Sequence, residues 1–314
     1  MSKHSRLFVP VPLRRLACVL ILLMAVAACF PSGQAILAQL EKAAGLTDFQ
    51  EVALEWPMSL HVLSVGKADA MLVMVENDAI LIDGGTAGNG EAVADYLERL
   101  GIERLTAVIN THPDTDHYGG LPAVLEKFPC DAFCVSAYSE GEEDAYLSLL
   151  QSLEAKDIPL CFWQAGETYS FGQLCVEVLS PSGEYDESND RSLVLRLTYG
   201  ERSFLLTGDA QEEAENDMLA SGQVLSADVL KVAHHGSRTS TSQAFLEAVS
   251  PACAVLSTGE DRNHLPTSEV LQRLEQADVT VLRTDLDGTL VFCTDGNDLK
   301  VFAESTETCI FEIQ

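Results

Sequence analysis

The sequence is short of positive charge: 19 lysines and arginines stand against 48 aspartates and glutamates, a formal net charge of −29. Such a surface repels polyanions over about a Debye length and offers no broad basic track for a nucleic-acid backbone. A phosphate-bearing substrate would therefore need local help, from metal ions above all. After residue 29 no apolar run reaches the roughly 20 residues that a spanning helix needs. There is no CxxC pair, and the cysteines after Cys29 number seven, mostly inside apolar runs such as "ACAVLST" and "LVFCT". An odd count without paired spacing argues against a disulfide framework or a zinc ribbon, and most of these cysteines read as small buried hydrophobes, with a Cys130–Cys134 or other single bridge as the alternative. No repeat is evident, and no linker divides the core. Histidine is also scarce, seven in 314 residues, which makes its placement informative.

What is present is ordinary globular composition, 47% hydrophobic and 21% charged, with length enough for one large core or two modest ones. The N-terminus begins with a basic leader ending at Arg14 and Arg15, then an apolar run from Leu16 to Cys29 that is too short to span a membrane. Residues 1–28 read as a signal peptide. The junction "VAAC" resembles the bacterial lipobox, so Cys29 becomes the first mature residue and carries lipid; an uncleaved anchor helix is the alternative. Either places the globular part at the outer face of the cytoplasmic membrane. Loss of Lys3, Arg6, Arg14 and Arg15 leaves 15 basic residues against 48 acidic ones, a net charge near −33. Residues 29–57 are expected to be a tether, and 58–314 a single domain.

Within that domain strands and helices alternate. "SLHVLSV", "AMLVMVE" and "AILIDGG" read as strands; "GEAVADYLERLG" places Val93, Tyr96, Leu97 and Leu100 on one helical face and stops at Gly101. "LTAVINT" is a further strand. A second series runs from "LCVEVLSP" through "FLLTGD" and "DVLKVAHH" to "LKVFAE". Two sheet-rich halves with helices outside predict an α/β fold, a four-layer αββα sandwich.

The stretch "VINTHPDTDHYGG" crowds His112, Asp114, Asp116 and His117 onto the loop that leaves a buried strand. Imidazole nitrogens and carboxylate oxygens converged in this way suit a divalent transition metal such as zinc or manganese. Three other apolar strands also stop in metal-binding residue types: "LIDGG" at Asp83, "LLTGD" at Asp209 and "VLKVAHHGS" at His234 and His235.

In order, "HVLSVGKADAMLV", "AILIDGG", "NTHPDTDHYGG", "NDRSLVLRLTYG", "FLLTGDA", "VLKVAHHGS" and "RTDLDGTLVF" resemble the metallo-β-lactamase fold superfamily. Within it the likeness is to the extracellular hydrolase domain of the DNA-uptake competence channel, the ComEC type. It covers roughly Leu60 to Phe302. The channel portion and oligonucleotide-binding fold of a full competence protein have no counterpart in the sequence, so the expectation is the hydrolase domain on its own. The resemblance implies two divalent ions, Zn or Mn. His112 and Asp114 would be first-metal ligands, Asp116 and His117 second-metal ligands, and Asp209 the bridge. His234 would be the last ligand with His235 as its rival, and Asp83 would orient the histidine loop.

This sequence departs from the superfamily's usual pattern in two ways. Asp114 replaces a histidine, and no histidine occurs from Tyr118 to Gly208. Asn189, Asp190 or water would stand in for the missing ligand, or that metal would be held only weakly, and the carboxylate-rich first site leans toward manganese. Asp69 would sit at the rim; Lys231 and Arg238 would lend positive charge to a phosphate, or Lys231 is an exposed strand residue. His264 lies one position out of the family register, and His61 is structural. The resemblance implies hydrolysis by a metal-bound hydroxide, with His235 or Asp116 moving a proton. The expected substrate is a phosphodiester, DNA or a cell-wall polymer such as teichoic acid. A non-catalytic binding module is the remaining alternative, and no protein partner is expected.

Overall fold

The computed structural model describes residues 53–138, 144–260 and 264–313, all within the compact unit from Phe49 to Gln314. The leader, the Cys29 junction and most of the expected tether lie outside the described residues. Where the tether's last residues are described they pack onto the domain: Ala53 is buried against Val291 and Cys293, with Trp56 beside it.

Among the described residues, one sheet has nine strands: β1 (Met58–Val62), β2 (Met71–Val75), β3 (Asp78–Ile82), β4 (Ala107–Asn110), β5 (Phe133–Ser136), β6 (Leu160–Trp163), β14 (Leu290–Thr294), β15 (Leu299–Ala303) and β16 (Thr308–Ile313). Their order across the sheet is β16-β15-β14-β1-β2-β3-β4-β5-β6. The second sheet has seven, ordered β13-β12-β11-β10-β9-β8-β7: β7 (Thr168–Phe171), β8 (Leu174–Ser180), β9 (Val194–Tyr199), β10 (Arg202–Leu206), β11 (Val229–Lys231), β12 (Cys253–Leu256) and β13 (Thr280–Arg283).

The strands' two faces bury different things. Leu60, Val62, Val73 and Ile109 of the first sheet meet Val178, Leu195, Leu206 and Val255 of the second in the central core. The opposite face of the first sheet carries Leu72, Leu81 and Val108 against α1 (Gly90–Arg99), α3 (Leu121–Lys127) and α4 (Asp144–Ala155). The second sheet's outer face, with Leu205, Leu230 and Ala254, is covered by α5 (Glu212–Ser221), α6 (Gln243–Val249) and α7 (Ser268–Gln276). The architecture is the predicted αββα sandwich. Each fully buried leucine or isoleucine in these layers contributes about 1.5–3 kcal/mol of burial.

Helix α1 buries Val93, Tyr96 and Leu97 and stops before Gly101, whose φ of 72° suits glycine, as the sequence pattern predicts. Strands β7 and β16 and helix α6 were not legible in the sequence. "TYSF" alternates around half-buried and exposed positions. Helix α6 is capped locally by the Ser242 hydroxyl, which accepts from the Phe245 N–H at 3.2 Å, and is anchored by the Glu215 carboxylate, which accepts from the Ser242 backbone N–H at 2.8 Å and from that of Thr241.

The topology also decides where the chemistry gathers. β3 and β4 are parallel, as are β10 and β11, so the loops after all four leave from C-terminal strand ends. The two sheets are tied together there by the Leu193 N–H donating to the Thr111 carbonyl, 2.9 Å.

Candidate metal centre

The four strand-end loops bring their polar residues to one buried point, and glycine makes the approach possible. A Cβ on Gly120 would meet the Gly84 carbonyl at 2.0 Å, so the loop after Asp83 and the loop after His117 can touch only because both carry glycine pairs. Asp83 itself is left-handed, φ 57°, a conformation that aspartate tolerates better than most residues.

From Asp83 the hydrogen bonds spread in an ordered way. Its Oδ1 accepts from the Thr111 backbone N–H (2.8 Å) and the Asn110 side chain (3.0 Å); its Oδ2 accepts from the Thr111 hydroxyl (2.7 Å). Oδ2 also lies 2.8 Å from His117 Nδ1. A carboxylate can only accept, so His117 carries its proton on Nδ1. The Thr111 hydroxyl, having donated to Asp83, accepts from His112 Nδ1 at 3.1 Å. His235 Nδ1 donates to the Ser257 carbonyl at 2.9 Å. All three imidazoles therefore commit Nδ1 outward, and in the neutral form each presents its Nε2 lone pair inward.

Those three Nε2 atoms, together with Asp209 Oδ1, are buried without a hydrogen-bond partner. His117 Nε2 lies 3.3 Å from Asp209 Oδ1, and His235 Nε2 lies 3.7 Å from Asp209 Oδ2 and 3.6 Å from Asp116 Oδ2. Gathered this closely and out of water, these nitrogens and carboxylate oxygens call for positive charge among them, supplied by a proton on His117 or by a metal ion in its place. The electrostatics point the same way. Burial works against a charged His117, yet Asp209 and Asp83 outweigh it and hold its pKa well above the ordinary histidine value. Burial likewise opposes ionised Asp209 and Asp116; His117 and His235, joined at Asp116 by Lys67, draw both below the usual carboxylate range. The donor set, imidazole nitrogen and carboxylate oxygen, fits divalent metal ions. His112, His117 and Asp209 form one group of mutually close ligand atoms, and Asp116, His117 and His235 another.

The sequence-expected residues divide accordingly. His112, Asp116, His117 and Asp209 meet at the centre. Asp114 sits at its edge, half-exposed, with Oδ2 3.6 Å from His112 Nε2; the same contact lowers its pKa. Of the two rivals, His235 is the one among the converging atoms. His234 is more exposed, 3.9 Å from Asp209 Oδ2, with Asn189 Nδ2 3.4 Å from its Nδ1. Both histidines are left-handed, φ 50° and 52°, a strained pair of non-glycine residues in the turn Ala233–Gly236, and their ring planes stand at 74° to each other.

Three expectations need correction. Lys231 is neither exposed nor turned toward a substrate: it is fully buried, with Nζ 2.9 Å from Asp69 Oδ2. Asp69 is likewise buried and not on the rim, and its Oδ1 is 3.8 Å from His235 Nδ1. Asp190 lies outside every candidate donor group among the described residues; its Oδ1 accepts from the backbone N–H groups of Gln211 (2.8 Å) and Ala214 (3.2 Å), securing the start of α5. The neighbouring Ser192 accepts from the Asp209 backbone N–H at 3.2 Å, so this segment supports the bridge candidate from behind. His264 is exposed and outside every candidate donor group among the described residues. Arg238 is exposed. His61 is structural: buried, bonded to Ser59 and Tyr96, with its pKa lowered to about 3 by burial.

One residue escaped the sequence reading. Lys67, in "VGKADA", places Nζ 2.6 Å from Asp116 Oδ2 and is partly exposed, so the local positive charge comes from this lysine. Its proximity in sequence to Asp69 was the only available signal.

Comparison with known proteins agrees with this geometry. A family model described as the metallo-beta-lactamase superfamily matches residues 63–260. ComE operon protein 3 of Bacillus subtilis is 32% identical over 255 residues, covering 74% of this chain and 32% of that protein. Competence protein ComA of Neisseria gonorrhoeae is 32% identical over 254 residues, 79% of this chain and 34% of that protein. Recombination protein 2 of Haemophilus influenzae is 32% identical over 237 residues, 73% and 28% of the respective chains. The chain thus spans about a third of the length of these relatives. The fold is similar to that of the metallo-beta-lactamase fold protein YhfI from Bacillus subtilis, with TM-score 0.52 and 14% identity over 74% of this chain and 98% of that one. A match over most of the domain, with relatives at this identity, makes the chain a member of the metallo-β-lactamase superfamily and a homologue of the ComEC-type competence proteins.

Proposed function

We propose that this superfamily hydrolase is a metal-dependent phosphodiesterase, acting on DNA or another phosphodiester outside the cytoplasmic membrane. The observation that carries the reading is the convergence of three orphaned imidazole Nε2 atoms on Asp209 beside the Lys67 ammonium. Divalent cations held there would lower the pKa of water and offset charge building on the oxygens of the attacked group. His112 and Asp114 would hold one ion, Asp116, His117 and His235 the other, with Asp209 shared. Asp83 fixes His117 by its Nδ1 proton, and Ser257 fixes His235 in the same way. Lys67, partly open to solvent, offers a cation to a phosphate oxygen. Zinc and manganese both suit this donor set, and the carboxylates favour manganese.

Relatives whose names speak of competence and recombination support a nucleic-acid substrate. The net charge of −29 favours a second reading, a short or locally bound phosphodiester such as a teichoic-acid unit, over long duplex DNA. Lipid attachment at Cys29 would hold the domain at the membrane's outer face; among the described residues no helix is long and apolar enough to cross a membrane. The test is turnover of single-stranded DNA, duplex DNA, teichoic acid, bis(p-nitrophenyl) phosphate and nitrocefin by the metal-loaded protein. Hydrolysis of a phosphodiester is expected. Turnover of nitrocefin alone would refute the reading, and no turnover by metal-bound protein would leave a binding module. Mass spectrometry of the N-terminus from cells tests lipidation, with residues upstream of Cys29 retained if it is wrong.

A further inference from the structure

Away from the metal centre, the nine-stranded sheet sets two thiols side by side. β5 and β6 run parallel with Cys134 opposite Cys161 in the register. Both belong to the inner face, with Trp163, which stacks on Tyr169 at 4.0 Å. Neighbouring strands lie about 4.8 Å apart, inside the Cα separation of about 4.4–6.8 Å that a disulfide spans. Both thiols are free. Their surroundings differ: Cys134 is buried, and burial together with the Cys161 thiol pushes its pKa up. Cys161 is only half-buried, on the outermost strand of that sheet among the described residues. Among the described residues no other two cysteines face each other across neighbouring strands. Cys130 donates to the Ala132 carbonyl at 3.1 Å, and Cys175 faces Thr198 in the second sheet.

We propose that Cys134 and Cys161 form a dithiol site that reacts with low-molecular-weight disulfides. The Cys161 thiolate attacks one sulfur of the small disulfide, forming a mixed disulfide and expelling one thiolate, which takes up the proton Cys161 released. Cys134 then gives up its proton and attacks the Cys161 sulfur, expelling the second small thiolate, which is protonated in turn. The protein pair is oxidised by two electrons and the small disulfide is reduced to two thiols. Exposure sets the order, because only Cys161 can be approached from solvent. The product joins the sheet's outermost strand to its neighbour and closes the chain over α4.

The full chain, incubated with oxidised glutathione, alkylated and digested with trypsin, is expected to yield peptide 128–156 linked to peptide 157–191. Fragment ions should place the bond at Cys134 and Cys161. The link should vanish in Cys134→Ser and persist in Cys130→Ser and Cys175→Ser. Exposed Cys309 is the internal control, since its glutathionylation shows that the reagent reached the protein. If Cys309 is modified while Cys134 and Cys161 both remain open to alkylation after brief denaturation, the proposal is overturned. A bond mapped in the unsubstituted chain to Cys130 or Cys175 overturns it equally. Oxidation should also raise Tm by about 5 °C, through loop closure in the unfolded chain; an unchanged Tm would overturn the cross-link as a constraint on the edge strand.

Discussion

Asp83 and His117 face each other across 2.8 Å with neither side chain exposed to solvent, and that contact sets which imidazole nitrogen looks into the metal centre. Substituting Asp83 should therefore weaken metal binding without touching a ligand. Asp83→Asn, which tolerates the left-handed backbone, is expected to lower metal affinity about 10-fold, and Asp83→Ala about 100-fold with a loss of stability. Titration calorimetry with Mn²⁺ and Zn²⁺ reads the first effect. Equal affinity in all three proteins would show that the imidazole needs no such support.

Asp209 and the histidine pair separate ligands from bystanders. Asp209→Asn and His235→Ala should each reduce metal affinity at least about 100-fold and abolish hydrolysis, whereas His234→Ala should cost about 10-fold and His264→Ala very little. Chelation should lower the Tm of the parent protein and leave that of Asp209→Asn nearly unchanged, because metal bound only to the folded state stabilises it. Elemental analysis and circular dichroism keep loss of metal distinct from loss of fold.

Lys67 competes with any cation for Asp116. Two unit charges about 4 Å apart interact by about 4 kcal/mol at an effective dielectric of 20, and partial exposure of Lys67 screens much of that. Lys67→Gln should consequently raise metal affinity about 10-fold while raising KM for a phosphodiester. Metal affinity that falls on substitution would contradict the competition.

The buried Asp69–Lys231 pair makes a different prediction. Removing one partner strands the other charge away from water, so Lys231→Met should destabilise the protein by about 3–5 kcal/mol, and Asp69→Asn combined with Lys231→Met should recover part of that. Denaturant unfolding of the two single variants and the double variant measures it; strict additivity would mean that the pair is not coupled.

His61 predicts a pH dependence. Its folded pKa of about 3 lies below its ordinary value of 6.5, so the unfolded chain binds the extra proton first. Stability from His61 is full above about pH 6.5 and is lost as pH falls toward 3, at up to about 1.4 kcal/mol per unit. His61→Gln should flatten the Tm profile between pH 6.5 and 4.5 when compared with the parent protein. Parallel profiles would exclude His61 as a source of the slope.

Local pattern sufficed for much of this molecule. Short continuous apolar runs ending at Ile82, Asn110, Leu206 and Lys231 mark buried strands whatever their partners, and four such runs stopping short of metal-binding residues point to a centre before any contact is known. Sequence spacing could not choose between His234 and His235, because both sit in one left-handed turn beside Asp209 and only the packing of that turn decides which is buried. It also could not tell Lys231 from Lys67. Both are lysines next to a site, but one is closed in by Asp69 at the end of a central strand, while the other reaches Asp116 from a loop. The Cys134–Cys161 pair was hidden for the same reason: parallel pairing joins residues that are distant along the chain, and register is a property of the assembled sheet.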